Sequence, residues 1–189
     1  MHTLIITAHP SSKGFTHRIA AAFSRGRTET GHTVEILDLY KTDLKQDYLN
    51  FENIREIPVD PIRVALQAKI TGADEIVLVH PLWWMGPPAI MKNFLDNNLM
   101  ARFAYRYLEG GKRVGLLKGK KAKVFITCDG PLYIYLLLAM PFWTIWFFGV
   151  LTFCGMKVTS FKLFDQKMKR SEAECDAFLK KVEKIARKA

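Results

Sequence analysis

Cysteine and histidine are scarce in this chain, and their scarcity excludes several kinds of site. The three cysteines, Cys128, Cys154 and Cys175, form no CxxC pair. A disulfide framework is therefore disfavoured, and a reducing compartment is indicated. The five histidines stand apart from one another, so the sequence predicts no zinc-type cluster and no metal site.

The amino terminus lacks the features of a secretory signal. The opening segment "MHTLIITAHP" has no basic lead, and its apolar run is too short for a signal peptide. We therefore expect a cytoplasmic protein.

Formal charge is missing altogether from Gly130 to Met156, in "GPLYIYLLLAMPFWTIWFFGVLTFCGM". A membrane-spanning helix needs about 20 apolar residues, so the length of this stretch would permit a span. Pro141 interrupts the run near its middle, and the neighbouring segments read as a soluble fold. We therefore expect a helix that packs within a soluble protein.

Acidic residues are fewer than basic ones, 18 against 28, which gives a net charge of +10. Such a surplus suits nucleic acid, an anionic membrane surface or phosphorylated small molecules, and it also suits a plainly solvated surface. The lysines are spread along the chain without an aromatic-basic motif, so nucleic acid is the least favoured of these partners.

Apolar runs and helical spacing alternate along all 189 residues. Short runs rich in β-branched residues predict strands at 3–7, 33–37, 75–80, 121–127 and 157–164, the last more polar and therefore at an edge. Helical patterns follow the first four strands, and a capping box at 171–174 opens a final helix. This alternation predicts one α/β domain, residues 1–189, with parallel strands and helices on both faces of the sheet.

Ligands of open parallel sheets bind outside the carboxyl ends of the strands, near the point where strand order reverses. Three loops leave such ends, at residues 8–16, 80–88 and 127–133. The first, "AHPSSKGFT", combines hydroxyls, a lysine and a glycine with the start of a helix, which suits an anion. It is neither a G-x-G-x-x-G motif nor a Walker A loop. The sequence shows no nucleophile partner for His9, which favours a structural or phosphate-contacting role over that of a base, and Ser11 also fits an ordinary turn.

The second loop, "HPLWWMGPP", places Trp83 and Trp84 between prolines. A planar ring that stacks on the indoles would explain so much aromatic surface on a loop. The alternative is that both indoles pack beneath the next helix. The third loop, "TCDGPLY", offers Thr127, Asp129 and Gly130 to a heteroaromatic edge, or forms a simple strand-to-helix turn.

Four segments together resemble one family: "TAHPSSKGF", "DEIVLVHPLWWMGPPAIMKNFLD", "GLLKGKKAKVFITCDGP" and "LTFCGMKV". The chain resembles the flavodoxin-like NAD(P)H:quinone oxidoreductases, including the ancillary oxidoreductase subunits of potassium-efflux systems, over nearly its whole length. The resemblance implies a five-stranded doubly wound sheet of order 2-1-3-4-5. It also implies bound FMN, with FAD possible, at the ends of three strands.

The resemblance also implies where the flavin would lie. The phosphate end would meet His9, Ser11, Gly14, Phe15 and Thr16. The ring would lie along Pro81, Leu82, Trp83, Trp84 and Met85, and its pyrimidine side would meet Thr127, Asp129 and Gly130.

Three departures from the family pattern matter. Gly14 stands where serine is frequent, and Thr16 stands at an asparagine position. The third loop reads "TCDG" in place of "TTGG", which puts the carboxylate of Asp129 near the ring, so this group points away, donates as a neutral acid or marks altered chemistry. The tyrosine and histidine that assist hydride transfer in some members have no clean match here. Tyr133 or Tyr135 could fill the role of the tyrosine, no histidine fills the other role, and we take Tyr133 as the catalytic candidate.

The implied activity is two-electron transfer from NADPH or NADH, through the flavin, to a quinone or similar flat acceptor. The resemblance further implies a homodimer, with the uncharged stretch at the subunit boundary. Peripheral association with a membrane or a transporter stays open. The main alternative is a flavin- or nucleotide-binding regulatory subunit of a transporter with little turnover, and an electron-shuttle flavodoxin ranks lower because such proteins are typically acidic.

Overall fold

The computed structural model describes residues 1–53, 56–138 and 141–188, and a parallel sheet forms their centre. The strands in chain order are β1 (His2–Thr7), β2 (Thr33–Asp38), β3 (Glu75–Pro81), β4 (Tyr105–Tyr107), β5 (Arg113–Gly115), β6 (Lys121–Thr127) and β7 (Lys157–Phe164). The five-stranded sheet has the order β2-β1-β3-β6-β7 and all its strand pairs are parallel. Without the small β4–β5 hairpin this is the predicted 2-1-3-4-5 order, and β7 lies at an edge as expected.

The helices connect these strands. They are α1 (Phe15–Thr28), α2 (Pro61–Gly72), α3 (Ala89–Asn98), α4 (Leu132–Leu137), α5 (Pro141–Thr144) and α6 (Glu172–Arg187). The Asp60 carboxylate accepts a hydrogen bond from the Ile62 amide and so caps α2. The predicted capping box between Ser171 and Glu174 opens α6, because its two side chains satisfy amides that the first turn leaves free.

Helices cover both faces of the sheet, as its alternating side chains require. On β1, Ile5 points into the layer beneath α1 and α6, whereas Leu4 and Ile6 point into the opposite layer with α2, α3 and residues 142–151. Successive side chains of a strand face opposite sides, so the uniformly apolar runs of the central strands follow from burial on both faces.

Two features differ from the sequence-based expectation. The antiparallel β4–β5 hairpin was not predicted, because strands of three residues carry too little alternation to stand out. The uncharged stretch was predicted as one helix, and the described part forms α4, then α5, which continues as a π-helical turn over Ile145–Leu151. Residues 139 and 140 of that stretch lie outside the described residues. Within the described part of the chain, no helix is long and apolar enough to cross a membrane.

A group of buried charges lies at the amino-terminal edge of the sheet. Glu75 accepts hydrogen bonds from Nε and Nη2 of Arg27, at 3.0 and 2.6 Å, and from Nζ of Lys123. The side chains of Arg27 and Glu75 are fully buried and that of Lys123 is nearly so. We call these three residues the buried triad. It ties α1, β3 and β6 together at the edge opposite the predicted site.

Candidate functional site

The three predicted loops meet at the carboxyl edge of the sheet. Pro81 at the end of β3 is the register partner of Thr127 at the end of β6. The Leu82 amide then donates to the Thr127 carbonyl at 2.7 Å, and the Ala8 amide donates to the Val79 carbonyl at 3.2 Å. Backbone bonds therefore hold the loops after β1, β3 and β6 side by side, as the sequence analysis expected.

The first loop ends in a helix start whose polar groups are open. Gly14 is the N-cap of α1 and supplies no side-chain cap. The Thr16 hydroxyl is buried, and no described residue hydrogen-bonds to it. A helix start leaves amides unsatisfied and carries partial positive charge. An acceptor-rich anion such as a phosphate would satisfy both the amides and this hydroxyl.

The Phe15 side chain belongs to the core. Its ring packs against Phe164, with centroids 5.0 Å apart, and is 7% exposed. Only the backbone of Phe15 is therefore available to a ligand at the start of α1.

His9 folds back over its own loop. Its Nδ1 lies 3.0 Å from the Ser11 carbonyl and 3.1 Å from the Ser11 amide. A Cβ at Gly14 would lie only 2.5 Å from that nitrogen. Glycine at position 14 therefore makes room for the His9 ring, which explains the departure from serine in steric terms.

His17 and Asp38 join this end of the site, and sequence reasoning missed both. His17 Nε2 lies 3.2 Å from the His9 carbonyl and 3.8 Å from Oδ2 of Asp38, at the end of β2. A histidine in the first turn of a helix and an aspartate that ends a strand give no sequence signal of proximity. The parallel pairing of β1 with β2 brings them together.

The second loop is a tight turn that presents an indole to solvent. Trp83 and Gly86 exchange two backbone hydrogen bonds, of 2.9 and 3.0 Å. Trp84 and Met85 between them have φ angles of 50° and 61°. Two consecutive residues with positive φ are the signature of a type I′ turn. Trp84 is fully exposed and Trp83 is 42% exposed, so the pair does not pack beneath the next helix.

This turn has an unusual composition for its backbone. Asparagine and glycine are the residues that type I′ turns prefer, because positive φ crowds a β-carbon. Tryptophan and methionine at such positions carry local strain, and strained residues cluster at ligand sites. The turn thus holds an apolar ring in solvent, at a conformational cost, beside an open helix start.

The third loop engages the segment that follows β7. Asp129 Oδ1 accepts a hydrogen bond from the Met168 amide at 3.3 Å, and the Leu132 amide donates to Asp165 Oδ2 at 3.0 Å. The Asp129 carboxylate is therefore turned toward the segment that follows β7. Among the three options raised by the sequence, this contact corresponds to a carboxylate that points away from the expected ring position. Thr127 is buried at the end of β6.

The two candidate tyrosines differ sharply in their surroundings. Tyr133 on α4 is 64% exposed at the rim of the site. Tyr135 is buried, and a Cβ at Gly130 would lie 2.5 Å from its phenolic oxygen. Burial raises the pKa of Tyr135 to about 12 and that of the neighbouring Cys128 thiol to about 11. Both groups therefore keep their protons at neutral pH.

His80 lies behind the second loop and was also missed. Its Nδ1 is 2.7 Å from the Pro81 carbonyl, so this nitrogen carries the proton. The ring is fully buried and packs on Trp146, with centroids 5.2 Å apart. Burial lowers the pKa of His80 from 6.5 to about 4, although the bond to Pro81 opposes the shift. Neutral His80 therefore fixes the backbone that leads into the tryptophan turn.

No group of three or more metal-ligating side chains occurs in residues 1–53, 56–138 and 141–188. The site instead offers an anion-binding helix start at one end and a flat apolar face at the other. Hydrogen-bonding groups of the third loop follow at the end of β6, on the side of the second loop away from the helix start. This arrangement suits an elongated ligand with a phosphate tail and a heteroaromatic head.

Comparisons with known proteins agree with the fold. A family model described as a flavodoxin-like fold matches residues 1–186. A protein of Haemophilus influenzae named as an uncharacterized NAD(P)H oxidoreductase is 37% identical over 174 residues, which cover 87% of this chain and 83% of that protein. FMN-dependent NADH:quinone oxidoreductase 2 of Bacillus subtilis is 32% identical over 149 residues, which cover 69% of this chain and 70% of that protein. The crystal structure of Smu.1420 from Streptococcus mutans superposes with a TM-score of 0.88 at 27% identity and full coverage of both chains.

Proposed function

Because the chain belongs to the flavodoxin-like family of NAD(P)H:quinone oxidoreductases, we propose that it is a flavin-dependent NAD(P)H dehydrogenase (quinone). In the overall reaction NAD(P)H, a proton and a quinone give NAD(P)⁺ and a quinol, so two electrons pass from the nicotinamide to the acceptor. The observation that carries the proposal is the exposed Trp84 indole beside the open start of α1, at one edge of the sheet.

FMN is the cofactor that these residues fit, and FAD is the second choice. Bound flavin supplies the hydride acceptor and donor that amino-acid side chains lack. The orphaned Thr16 hydroxyl and the open helix start provide an independent structural reason for a phosphate group there.

The phosphate end of the proposed site comprises the first loop. The α1 amides at Phe15 and Thr16 and the Thr16 hydroxyl would donate hydrogen bonds to the phosphate. Ser11 and His9 would close the loop around the phosphate, and Gly14 leaves room for the His9 ring. His17 is within reach of this end through its contact with the His9 carbonyl.

The ring end comprises the second and third loops. Pro81, Leu82, Trp83, Trp84 and Met85 would form the apolar wall against the ring and exclude water from one of its faces. Thr127 and Gly130 would meet the polar edge of the ring. Asp129 would lie beside that edge, with its carboxylate turned to the Met168 amide.

Tyr133 is the proposed catalytic residue. Its phenol lies at the exposed rim of the site on α4, where it can donate a hydrogen bond to a quinone oxygen as negative charge develops there. Tyr135 would serve as packing beneath Gly130. Tyr133→Phe should lower kcat/KM by about a hundredfold, whereas Tyr135→Phe should leave the kcat/KM near that of the parent protein.

The proposal also covers the electron donor, the domain organisation, the oligomeric state and the location of the protein. We expect NADPH or NADH as donor, one domain across residues 1–189, a homodimer and a cytoplasmic location at the inner face of a membrane. The exposed apolar residues of the uncharged stretch supply surface for such contacts. The regulatory alternative is less favoured, because the curated relatives reported above are named as oxidoreductases.

A visible spectrum separates these two functions. Purified protein that is mixed with FMN and freed of excess should be yellow. Anaerobic NADPH or NADH should bleach it, and a soluble quinone should restore the colour. A yellow protein that neither donor bleaches would identify the regulatory alternative, and a protein that retains no flavin would overturn both.

The phosphate end can be tested separately by measuring FMN affinity. Thr16→Val removes the orphaned hydroxyl at nearly constant volume, and it should weaken FMN binding about tenfold. Thr28→Val is the control, because the Thr28 hydroxyl donates to the backbone carbonyls of Ser24 and Arg25 at the far end of α1. Equal affinities for the two variants would contradict this placement of the phosphate.

A further inference from the structure

Two histidine rings meet at the phosphate end of the site, and only one of them has an assigned role. The rings of His9 and His17 lie edge to face, with centroids 6.1 Å apart and an angle of 83° between their planes. The side chain of His17, in the first turn of α1, is only 18% exposed. His9 is a proposed phosphate contact, whereas nothing so far explains why a second imidazole is held beside it.

The contacts of His17 define which of its nitrogens carries a proton. Nε2 of His17 lies 3.2 Å from the His9 carbonyl oxygen and 3.8 Å from Oδ2 of Asp38. A carbonyl and a carboxylate both accept hydrogen bonds and donate none, so Nε2 carries the proton and donates it to the nearer oxygen. His17 therefore ties the first turn of α1 to the backbone of the first loop.

The Asp38 carboxylate is a fixed partner for this imidazole. Its Oδ1 accepts a hydrogen bond from the Tyr40 amide at 3.0 Å. Asp38 is also the register partner of Thr7 on β1, and the Leu39 amide donates to the Thr7 carbonyl at 3.0 Å. A carboxylate that is held in this way attracts the N–H edge of the His17 ring and keeps it turned toward the first loop.

The His9 ring in turn lies against the start of α1. The Ser11 carbonyl already accepts the Gly14 amide at 3.0 Å, and the Ser11 amide lies 3.1 Å from Nδ1 of His9. These partners favour the tautomer in which Nδ1 accepts and Nε2 of His9 carries the proton. A Cβ at Gly14, the N-cap of α1, would lie 2.5 Å from Nδ1 and 2.6 Å from Cε1 of His9. The free N–H of His9 is thus a donor beside the open helix start.

The position of this donor depends on the backbone of His9. Besides His17, no described residue donates a hydrogen bond to the His9 carbonyl. Loss of the His17 donor would free the peptide that follows His9, and the ring would lose its fixed place over Gly14. A loop that must be ordered when the ligand binds lowers the affinity for that ligand, whereas a loop that is already ordered does not.

We propose that His17, oriented by Asp38, is a positioning residue that holds His9 and the first loop in the shape that binds the phosphate of FMN. The identity of this ligand rests on the proposed function. His17 acts through the His9 carbonyl, so it contributes to binding of the phosphate end and not of the ring. It therefore determines how strongly the site prefers FMN to riboflavin, which has the same ring and no phosphate.

Titration of the flavin-free protein with FMN and with riboflavin tests this preference. His17→Leu should weaken FMN binding about fivefold and leave riboflavin binding unchanged. His17→Gln retains an N–H of similar reach and should bind FMN within about twofold of the parent protein. His32→Leu is the control, because Nδ1 of His32 lies 3.2 Å from the amino terminus, at the opposite edge of the sheet. It should leave both affinities unchanged.

A double-mutant cycle tests the role of Asp38. Asp38→Asn removes a negative charge near the phosphate as well as the partner of His17, so its direct effect on FMN must be separated. The factor by which Asp38→Asn raises the dissociation constant of FMN should be at least about threefold larger in the presence of His17 than in the His17→Leu protein. Equal factors in the two backgrounds would show that Asp38 does not act through His17.

Inorganic phosphate alone tests the loop without any flavin. A ligand that binds only the folded protein raises its melting temperature. Excess phosphate should therefore raise the melting temperature of the flavin-free parent by more than that of His17→Leu, and His17→Gln should respond like the parent. Equal shifts for the parent and His17→Leu would contradict the proposal.

The flavin titrations can overturn the proposal in three ways. Unchanged FMN affinity in His17→Leu would show that the first loop does not need this residue. Equal losses of FMN and riboflavin affinity would show a general structural role. A His17→Gln protein as weak as His17→Leu would show that the hydrogen bond to His9 is not the cause. A parent protein that takes up neither flavin would instead count against the proposed function, and the phosphate measurement would then decide the role of His17.

Discussion

The amino and carboxyl edges of the sheet differ in whether their buried polar groups have hydrogen-bond partners. At the amino edge, the buried charges of Glu75, Arg27 and Lys123 are paired through several hydrogen bonds. At the carboxyl edge, buried polar atoms of Thr7, Thr16 and His80 have no hydrogen-bond partner among the described residues. The side chains of Arg27 and Glu75 at the amino edge are fully buried, whereas the carboxyl edge exposes an indole on a strained turn.

This contrast indicates that the amino edge contributes to stability, whereas the carboxyl edge is suited to binding a ligand. Buried polar groups are normally satisfied, and an orphan requires an explanation. Four of the six orphaned side-chain atoms found among the described residues lie at or next to the carboxyl edge, on Thr7, Thr16, His80 and Trp146. A ligand that hydrogen-bonds to such an atom at the carboxyl edge would offset a desolvation cost already present in the free protein, whereas the buried triad at the amino edge is already paired.

The largest expected effect comes from breaking the buried triad. Glu75→Gln keeps the size of the side chain but leaves Arg27 and Lys123 buried without their counter-charge. Loss of one partner of a buried ion pair costs about 3–5 kcal/mol, so the free energy of unfolding in urea should fall by this amount. FMN affinity of the folded fraction should be unchanged, because the triad lies at the opposite edge.

Glu35→Gln supplies the control for this prediction. It removes the carboxylate that pairs with Lys69 at 2.5 Å on a partly exposed surface. Such pairs contribute about 1 kcal/mol or less. If the two variants lost equal stability, the amino edge would not have the structural role described here.

The second largest expected effect is a loss of stability at acid pH, which depends on His80 at the carboxyl edge. Burial lowers the pKa of His80 to about 4 from 6.5, so the folded protein favours the neutral ring. The stability that depends on this ring is fully present above pH 6.5 and is lost as the pH falls toward 4. Over that window the loss amounts to roughly 3 kcal/mol.

His80→Gln isolates this contribution, because glutamine retains an N–H for the Pro81 carbonyl and does not titrate. Unfolding free energies measured between pH 7 and 4 should fall less steeply for the variant than for the parent protein. Parallel curves would show that His80 is not held neutral behind the second loop.

The sequence predicted most of the fold, because the central strands β1, β3 and β6 are buried on both faces and therefore form the apolar runs from which strands are recognised. The short β4–β5 hairpin and the short length of α4 were not predicted, since segments of three to six residues are too short to show a clear period. The three loops of the site were predicted from composition and chain order. His17, Asp38 and His80 were not, because only the parallel strand pairing and the packing on Trp146 bring them to the site.

The smallest expected effect comes from two substitutions of Trp84, which distinguish backbone strain from ring stacking in the turn formed by residues 83–86. Trp84→Asn and Trp84→Ala both remove the exposed indole, so both should weaken FMN binding about tenfold if the ring packs there. Asparagine tolerates positive φ far better than alanine. The asparagine variant should therefore be more stable than the alanine variant by about 0.5–1 kcal/mol in urea unfolding, at equal FMN affinity. If instead the two variants matched in stability, the turn would not store strain. If neither bound FMN more weakly than the parent, the exposed face of Trp84 would not be part of the ring site, and only the phosphate end of the carboxyl edge would remain assigned to the flavin.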